Sequence, residues 1–202
     1  GVSDAPDVRE DHPHVPITLY NTYKSQCEPQ LMDHASADFE CVILRPSTVC
    51  GYSPRQRLDL AVNILTNLAY NTGRIIVHGG AQKRPNIHID DLVDCYRALL
   101  TAPAVKVAGE VFNVGAGNIS IMDLAILVKN AVGAFQKRII EIDVRPIEDV
   151  RSYQVNSDKI ERVLGFDVEA VRKKIAVLAT PAATMGSKRF SLDGITYFLD
   201  GA

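Results

Sequence analysis

Along the chain, short continuous apolar runs alternate with stretches whose apolar residues recur every three or four positions. The first sixteen residues carry Pro6, Pro13 and Pro16 among several acids, which predicts an extended loop because proline fixes φ and removes a backbone donor. From Ile17 to about Ala35 only Pro29 interrupts. This stretch predicts a helix capped by Thr18 and carrying Leu19, Tyr20, Tyr23, Lys24, Cys27 and Leu31. The run FECVILRP then predicts a strand buried on both faces of a parallel sheet, which requires crossover helices.

After Gly51 and Pro54, Leu58, Val62, Leu65 and Leu68 mark a second helix closed by Gly73. RIIVHGG reads as a strand and NIHI as another. DDLVDCYRALLTAP reads as a helix opened by two acids and stopped by Pro103. EVFNVG is a further strand, and Ser120 with Asp123 makes a capping-box-like start for SIMDLAILVKNAVG. RIIEIDV, the loop RPIEDVRSY and the short helix SDKIERVLGF follow. Alternation of this kind is the pattern of an α/β sheet with helices on its faces. From about Asp167 to Ala202 no chemistry is legible, and that stretch is read as packing or tail.

Composition narrows the function classes. With 202 residues, 47% hydrophobic and 23% charged, the chain can bury a core and is not of the disordered or collagenous kind. The net charge is −2 and the basic residues are scattered, which argues against a nucleic-acid binder. No apolar run approaches the ~20 residues needed to span a bilayer, so no membrane partner is expected. Cys27, Cys41, Cys50 and Cys95 form neither a CxxC pair nor a zinc spacing, and the polar, acidic start is unlike a signal peptide. A reducing, cytoplasmic location is the expectation.

Tyr20 and Lys24 stand four apart on the first predicted helix, hence on one face. A phenol titrating near 10 is a poor base at neutral pH, and an adjacent ammonium stabilises the phenolate. Oxidation of a hydroxyl to a ketone needs such a base. Chance also produces this spacing, so context must decide. Gly115 and Gly117 imitate a dinucleotide fingerprint, but position 120 is Ser, better read as an N-cap. His12 and His14 lack partners that would complete a metal site and read as exposed loop histidines; His78 and His88 read as structural or pocket-lining. Arg84, Arg145 and Arg151 lie in or beside loops, where a guanidinium can meet phosphate oxygens bidentately.

Taken in order, EDHPHVP, the YxxxK of Tyr20 to Lys24, VILRPSTVCG, HGGAQKRPNIHIDDLVD, EVFNVGAGN and RPIEDVRSYQVNSDKIERVLGF resemble the extended short-chain dehydrogenase/reductases that act on nucleotide sugars, the NAD-dependent epimerase/dehydratase group. The resemblance covers about Gly1 to Phe166. It implies an α/β fold comprising the C-terminal half of a Rossmann-type parallel sheet and a smaller substrate-binding lobe. Residues 1–50 would be a remnant of the dinucleotide-binding domain with the catalytic helix. Residues 51–166 would be the substrate lobe with returning Rossmann elements, and 167–202 a tail of unclear role.

By the same resemblance Tyr20 is the catalytic base, and Lys24 lowers its pKa and holds the nicotinamide ribose of NAD or NADP. Pro46 and Val49 would border the cofactor. Thr48, Arg84, Arg145 and Arg151 would contact the nucleotide-sugar substrate, whose hydroxyl is oxidised to a transient keto-sugar. Tyr23 stands where the family commonly has serine, and Thr48 where many members have asparagine. The family's glycine-rich phosphate turn has no counterpart here, which leads to the expectation of an incomplete and, alone, inactive piece. A homodimer pairing through the YxxxK helix is possible within the family pattern. The alternative is a non-catalytic sugar-nucleotide or protein-binding module that keeps the arginine loops.

Overall fold

A computed structural model describes residues 3, 5–51, 57–147 and 152–166, with the backbone of 189–192 and 195–198. The first helix, α1 (Leu19–Asp33), begins where Thr18 Oγ1 accepts a hydrogen bond from the backbone of Asn21, satisfying a donor that the first helical turn leaves open. None of its residues is buried. Strand β1 (Ile43–Pro46) follows and pairs in parallel with β5 (Val111–Val114), Ile43 opposite Val111. The sequence predicts this strand buried on both faces. Only Ile43 is buried, and exposure rises toward Pro46, because one side of β1 fronts a groove beneath α1.

Strand β2 (Thr48–Cys50) runs parallel to β4 (Lys83–His88), which also pairs antiparallel with β6 (Asn118–Ser120). Helix α2 (Ala61–Thr72) leads through Gly73 into β3 (Arg74–His78), parallel to β7 (Glu141–Arg145). Gly73 adopts φ 75°, the left-handed conformation that ends the helix at little steric cost. Arg138 completes that end, donating to the carbonyls of Ala69 and Tyr70. It therefore caps α2 instead of opening the strand that RIIEIDV predicts.

Helix α3 (Ile89–Thr101), a single turn α4 (Ala104–Val107), α5 (Ile121–Gln136) and α6 (Asp158–Leu164) are the other helices among the described residues. Ser120 caps α5 as its sequence predicts, accepting from Asp123 N at 3.0 Å. Near the C-terminus, where the sequence offers no element, β8 (Arg189–Leu192) and β9 (Ile195–Phe198) pair antiparallel.

Buried side chains form two clusters. One joins α2, β3 and α5 through Val62, Leu65, Ile75, Val77, Leu124, Val128 and Val132. The other joins β4, α3, β5 and α6 through Ile87, Leu92, Cys95, Phe112, Val114 and Ile160. Fully burying side chains of this size contributes roughly 1.5–3 kcal/mol each, so the chain is held by two cores that alternate along its length. The sites described next open beside the second of them.

Candidate active site

Helix α1 is tied to β1 through Arg45. Its Nε and Nη2 donate to the two carboxylate oxygens of Glu28 at 2.8 and 2.6 Å, and its Nη1 donates to the Glu10 carbonyl at 2.9 Å. A forked guanidinium–carboxylate pair fixes direction as well as distance. Between helix and strand lies a groove of about 680 Å³, lined by Tyr20, Lys24 and Leu31 on one side and by Val42, Leu44 and Pro46 on the other. The structure therefore places both members of the Tyr20–Lys24 pair on the wall of a cavity, with both side chains exposed.

A second cleft of about 580 Å³ adjoins it, lined by Ser47, Thr48, Arg84, Pro85, Asn113 and Tyr153, and by Arg9, His12 and His14 of the N-terminal loop. His14, Asn21, Arg45 and Pro46 border both cavities. Tyr20, Lys24, Pro46, Thr48 and Arg84 thus open on one continuous surface. Val49 does not line either groove: it is half-buried and packs against the second core cluster. Arg145 lies at the exposed end of β7, where it pairs with Asp143 at 3.2 Å, away from both linings. Arg151 lies outside the described residues.

Several residues at this surface were not singled out as site residues by motif reasoning. His12 is half-buried, and its Nε2 lies 2.9 Å from Ser3 Oγ. Both His12 and His14 line the cleft; His14 is exposed, as the sequence predicts, whereas His12 is half-buried. Ser47 Oγ is buried without a hydrogen-bond partner among the described residues. It lies against Gly115, where any side chain would run into it, so that glycine serves close packing between β1 and β5. Arg57 is held above its ordinary titration range chiefly by the hydrogen bond to Asp59, with Tyr20 a lesser electrostatic contributor. Asp7 is held below the ordinary carboxylate range by the Asn156 side-chain hydrogen bond and then by Arg9, in a polar seam joining the N-terminal loop to residues 154–158. No local sequence signal marks Asp7 or Ser47 here, because Asn156 and Gly115, which they meet, come from distant segments.

A dinucleotide needs an apolar slot for its nicotinamide end and backbone donors for its pyrophosphate. The first fits here: Val42, Leu44 and Pro46 floor the groove, and Tyr20 and Lys24 supply a hydroxyl and an ammonium. The second finds no match at the glycine turn after β5. After β5, Gly115 packs on Ser47, and the N-terminus of α5 is satisfied by its own Ser120.

The family model described as the NAD dependent epimerase/dehydratase family matches residues 2–115. The chain belongs to that family. Among solved structures it is similar to UDP-glucuronic acid 4-epimerase from Bacillus cereus in complex with UDP-glucuronic acid and NAD, at 23% identity and a TM-score of 0.66, covering 86% of this chain and 57% of that one. It is also similar to an NAD-dependent NDP-hexosamine 5,6-dehydratase of tunicamycin biosynthesis, at 25% identity and a TM-score of 0.64, covering 82% and 53%. A third is dTDP-glucose 4,6-dehydratase from Streptomyces venezuelae, at 22% identity and a TM-score of 0.64, covering 82% and 51%. At such identities the first and third establish the fold, a mixed α/β fold with parallel strands like theirs. The epimerase/dehydratase chain described here spans little more than half the length of these structures.

Proposed function

We propose that this chain carries the proton-transfer pair and part of the substrate surface of an NAD(P)-dependent epimerase or dehydratase that acts on a nucleotide sugar through a transient keto-sugar. The observation that carries the reading is the continuity of the two cavities: the Tyr20–Lys24 groove and the Arg84 cleft share His14, Asn21, Arg45 and Pro46. A sugar beside the phenol could therefore extend a diphosphate toward Arg84 without crossing protein. Family membership and the likeness to proteins solved with NAD support the cofactor.

In this reading Tyr20 accepts the proton of a sugar hydroxyl through its phenolate oxygen. Lys24, one turn on, offsets the phenolate charge and donates to the ribose bound in the groove. Bound NAD supplies the hydride acceptor. Pro46 bounds the groove against water, and Thr48 and Arg84 hold the diphosphate. Arg145 and Arg151 are proposed as further diphosphate contacts, and Val49 as a cofactor neighbour, on resemblance alone. Residues 1–50 and 51–166 are assigned respectively to the dinucleotide side and the substrate lobe.

Neither the glycine turn after β5 nor the Ser120-capped start of α5 offers a pyrophosphate cradle, and the 202-residue chain alone is expected to bind nucleoside diphosphate without turning over nucleotide sugars. Calorimetry with UDP, dTDP and GDP tests the binding half; no heat with any of them overturns it. In a preparation that does turn over, Tyr20→Phe is expected to lower kcat by about 10²–10⁴ with the fold unchanged. A normal rate would remove the base assignment. Nucleotide binding with no turnover even when a dinucleotide-binding half is supplied together with NAD would favour the non-catalytic module instead.

A further inference from the structure

Arg84 does not stand alone in its cleft. Its guanidinium carbon lies 4.7 Å from the centroid of the Tyr153 ring, and both residues line the same cavity. Tyr153 comes from a loop almost seventy positions further along the chain, yet the two are fastened to one atom. The Lys83 carbonyl accepts from Arg84 Nη1 at 2.9 Å and from the Tyr153 backbone at 3.1 Å.

The loop is pinned on either side of the ring. Lys83 N donates to Ser152 Oγ at 3.1 Å, Val155 N donates to Asn118 Oδ1 at 2.9 Å, and Asn118 Nδ2 donates back to the Val155 carbonyl at 3.1 Å. The ring is therefore part of a braced platform on the β4–β6 edge. Stacking engages the face of a guanidinium, whereas its hydrogen bonds lie in its plane. A ring held 4.7 Å from the guanidinium carbon can thus bias that plane without occupying the donors at its edge.

We propose that Tyr153 is a positioning residue for Arg84, its ring fixing the plane in which the guanidinium meets the diphosphate of a nucleotide sugar. The inference rests on the reading of Arg84 as a diphosphate contact and deepens it. What matters is the aromatic face and not the hydroxyl, so a phenylalanine should serve as well, while an aliphatic residue of similar bulk should not.

The test is UDP binding by the full 202-residue chain, with uridine as the probe lacking a diphosphate. Y153F is expected to bind UDP within about twofold of the unsubstituted chain, and Y153L about five- to tenfold more weakly, the range of a partly desolvated cation–π contact. Uridine binding should not differ among them. Adding Y153L to R84A should cost little beyond R84A alone, as expected for two residues acting through one contact.

The chain contains no tryptophan, so Y153W adds a single indole that can be excited at wavelengths where the tyrosines do not absorb. Its emission should respond to UDP but not to uridine, and the response should vanish when R84A is added. This readout keeps the test decisive if Y153L unfolds. If R84A weakens UDP binding while Y153L does not, or if the Y153W emission ignores UDP, the positioning role is overturned and the diphosphate reading survives. If R84A binds UDP normally, or the unsubstituted chain binds none, both fall.

Discussion

Cys95 lies wholly buried on α3, in the cluster with Ile87, Leu92 and Phe112. Burial in that apolar setting pushes its thiol from an ordinary 9.0 up to about 12, because the thiolate cannot be solvated there. The folded state therefore keeps a proton that the unfolded state gives up. Stability from this group is intact below pH about 9 and is lost as pH rises toward about 12. Denaturant unfolding at pH 8 and pH 10 is expected to show a larger loss for the unsubstituted chain than for Cys95→Ala; equal losses would contradict the linkage. At this scale, the shared face of Tyr20 and Lys24 was legible in the sequence, because helical periodicity alone puts residues four apart on one side of α1, here the wall of a cavity. His12, His14, Ser47 and Tyr153 were not legible as site residues. Each reaches the cleft through a loop placed by hydrogen bonds to distant segments, such as Val8 with Gln154 and Asn156.

Among the elements, α1 carries the proposed proton-transfer pair, and its apolar packing is thin. With no buried residue on the helix, the Arg45–Glu28 fork is the strongest directional tie between it and β1. Both side chains of that pair are about four-fifths buried, so removing one partner leaves a poorly solvated charge, at a cost on the order of 3 kcal/mol. Glu28→Ala is thus expected to lower the melting temperature. In a preparation that turns over, it should also reduce kcat by an order of magnitude or more through misplacement of Tyr20. An unchanged kcat in a destabilised variant would show that α1 is held by other contacts. Helix limits were legible for a related reason: Thr18, Gly73 and Ser120 cap locally, and the caps are written in the sequence. The short strands β2 and β6 are three residues each, too brief for an alternating pattern, and exist through their pairing with β4.

For the whole molecule, parallel alternation was legible from apolar runs and caps, whereas the interleaving of two cores was not. Residues 57–78 and 119–145 build one core, while 41–50, 83–115 and 157–166 supply most of the other, and no composition break marks the exchange. The same scale sets the most accessible prediction. On α1, Leu19 is 74% exposed and Tyr23 63%; Val15 and Ile17 beside them and Leu31 further along the helix are also exposed. An apolar surface of this kind, where exposed to water, favours association, since covering it removes hydrocarbon from water at roughly 25 cal/mol per Å². A homodimer through α1 buries it twice over by symmetry. Sedimentation of the 202-residue chain should therefore reveal a concentration-dependent dimer, and Leu19→Lys with Tyr23→Lys should shift it to monomer, because two ammonium groups would face their symmetry mates. A monomer at every concentration would mean that this helical face is covered by something other than a second copy.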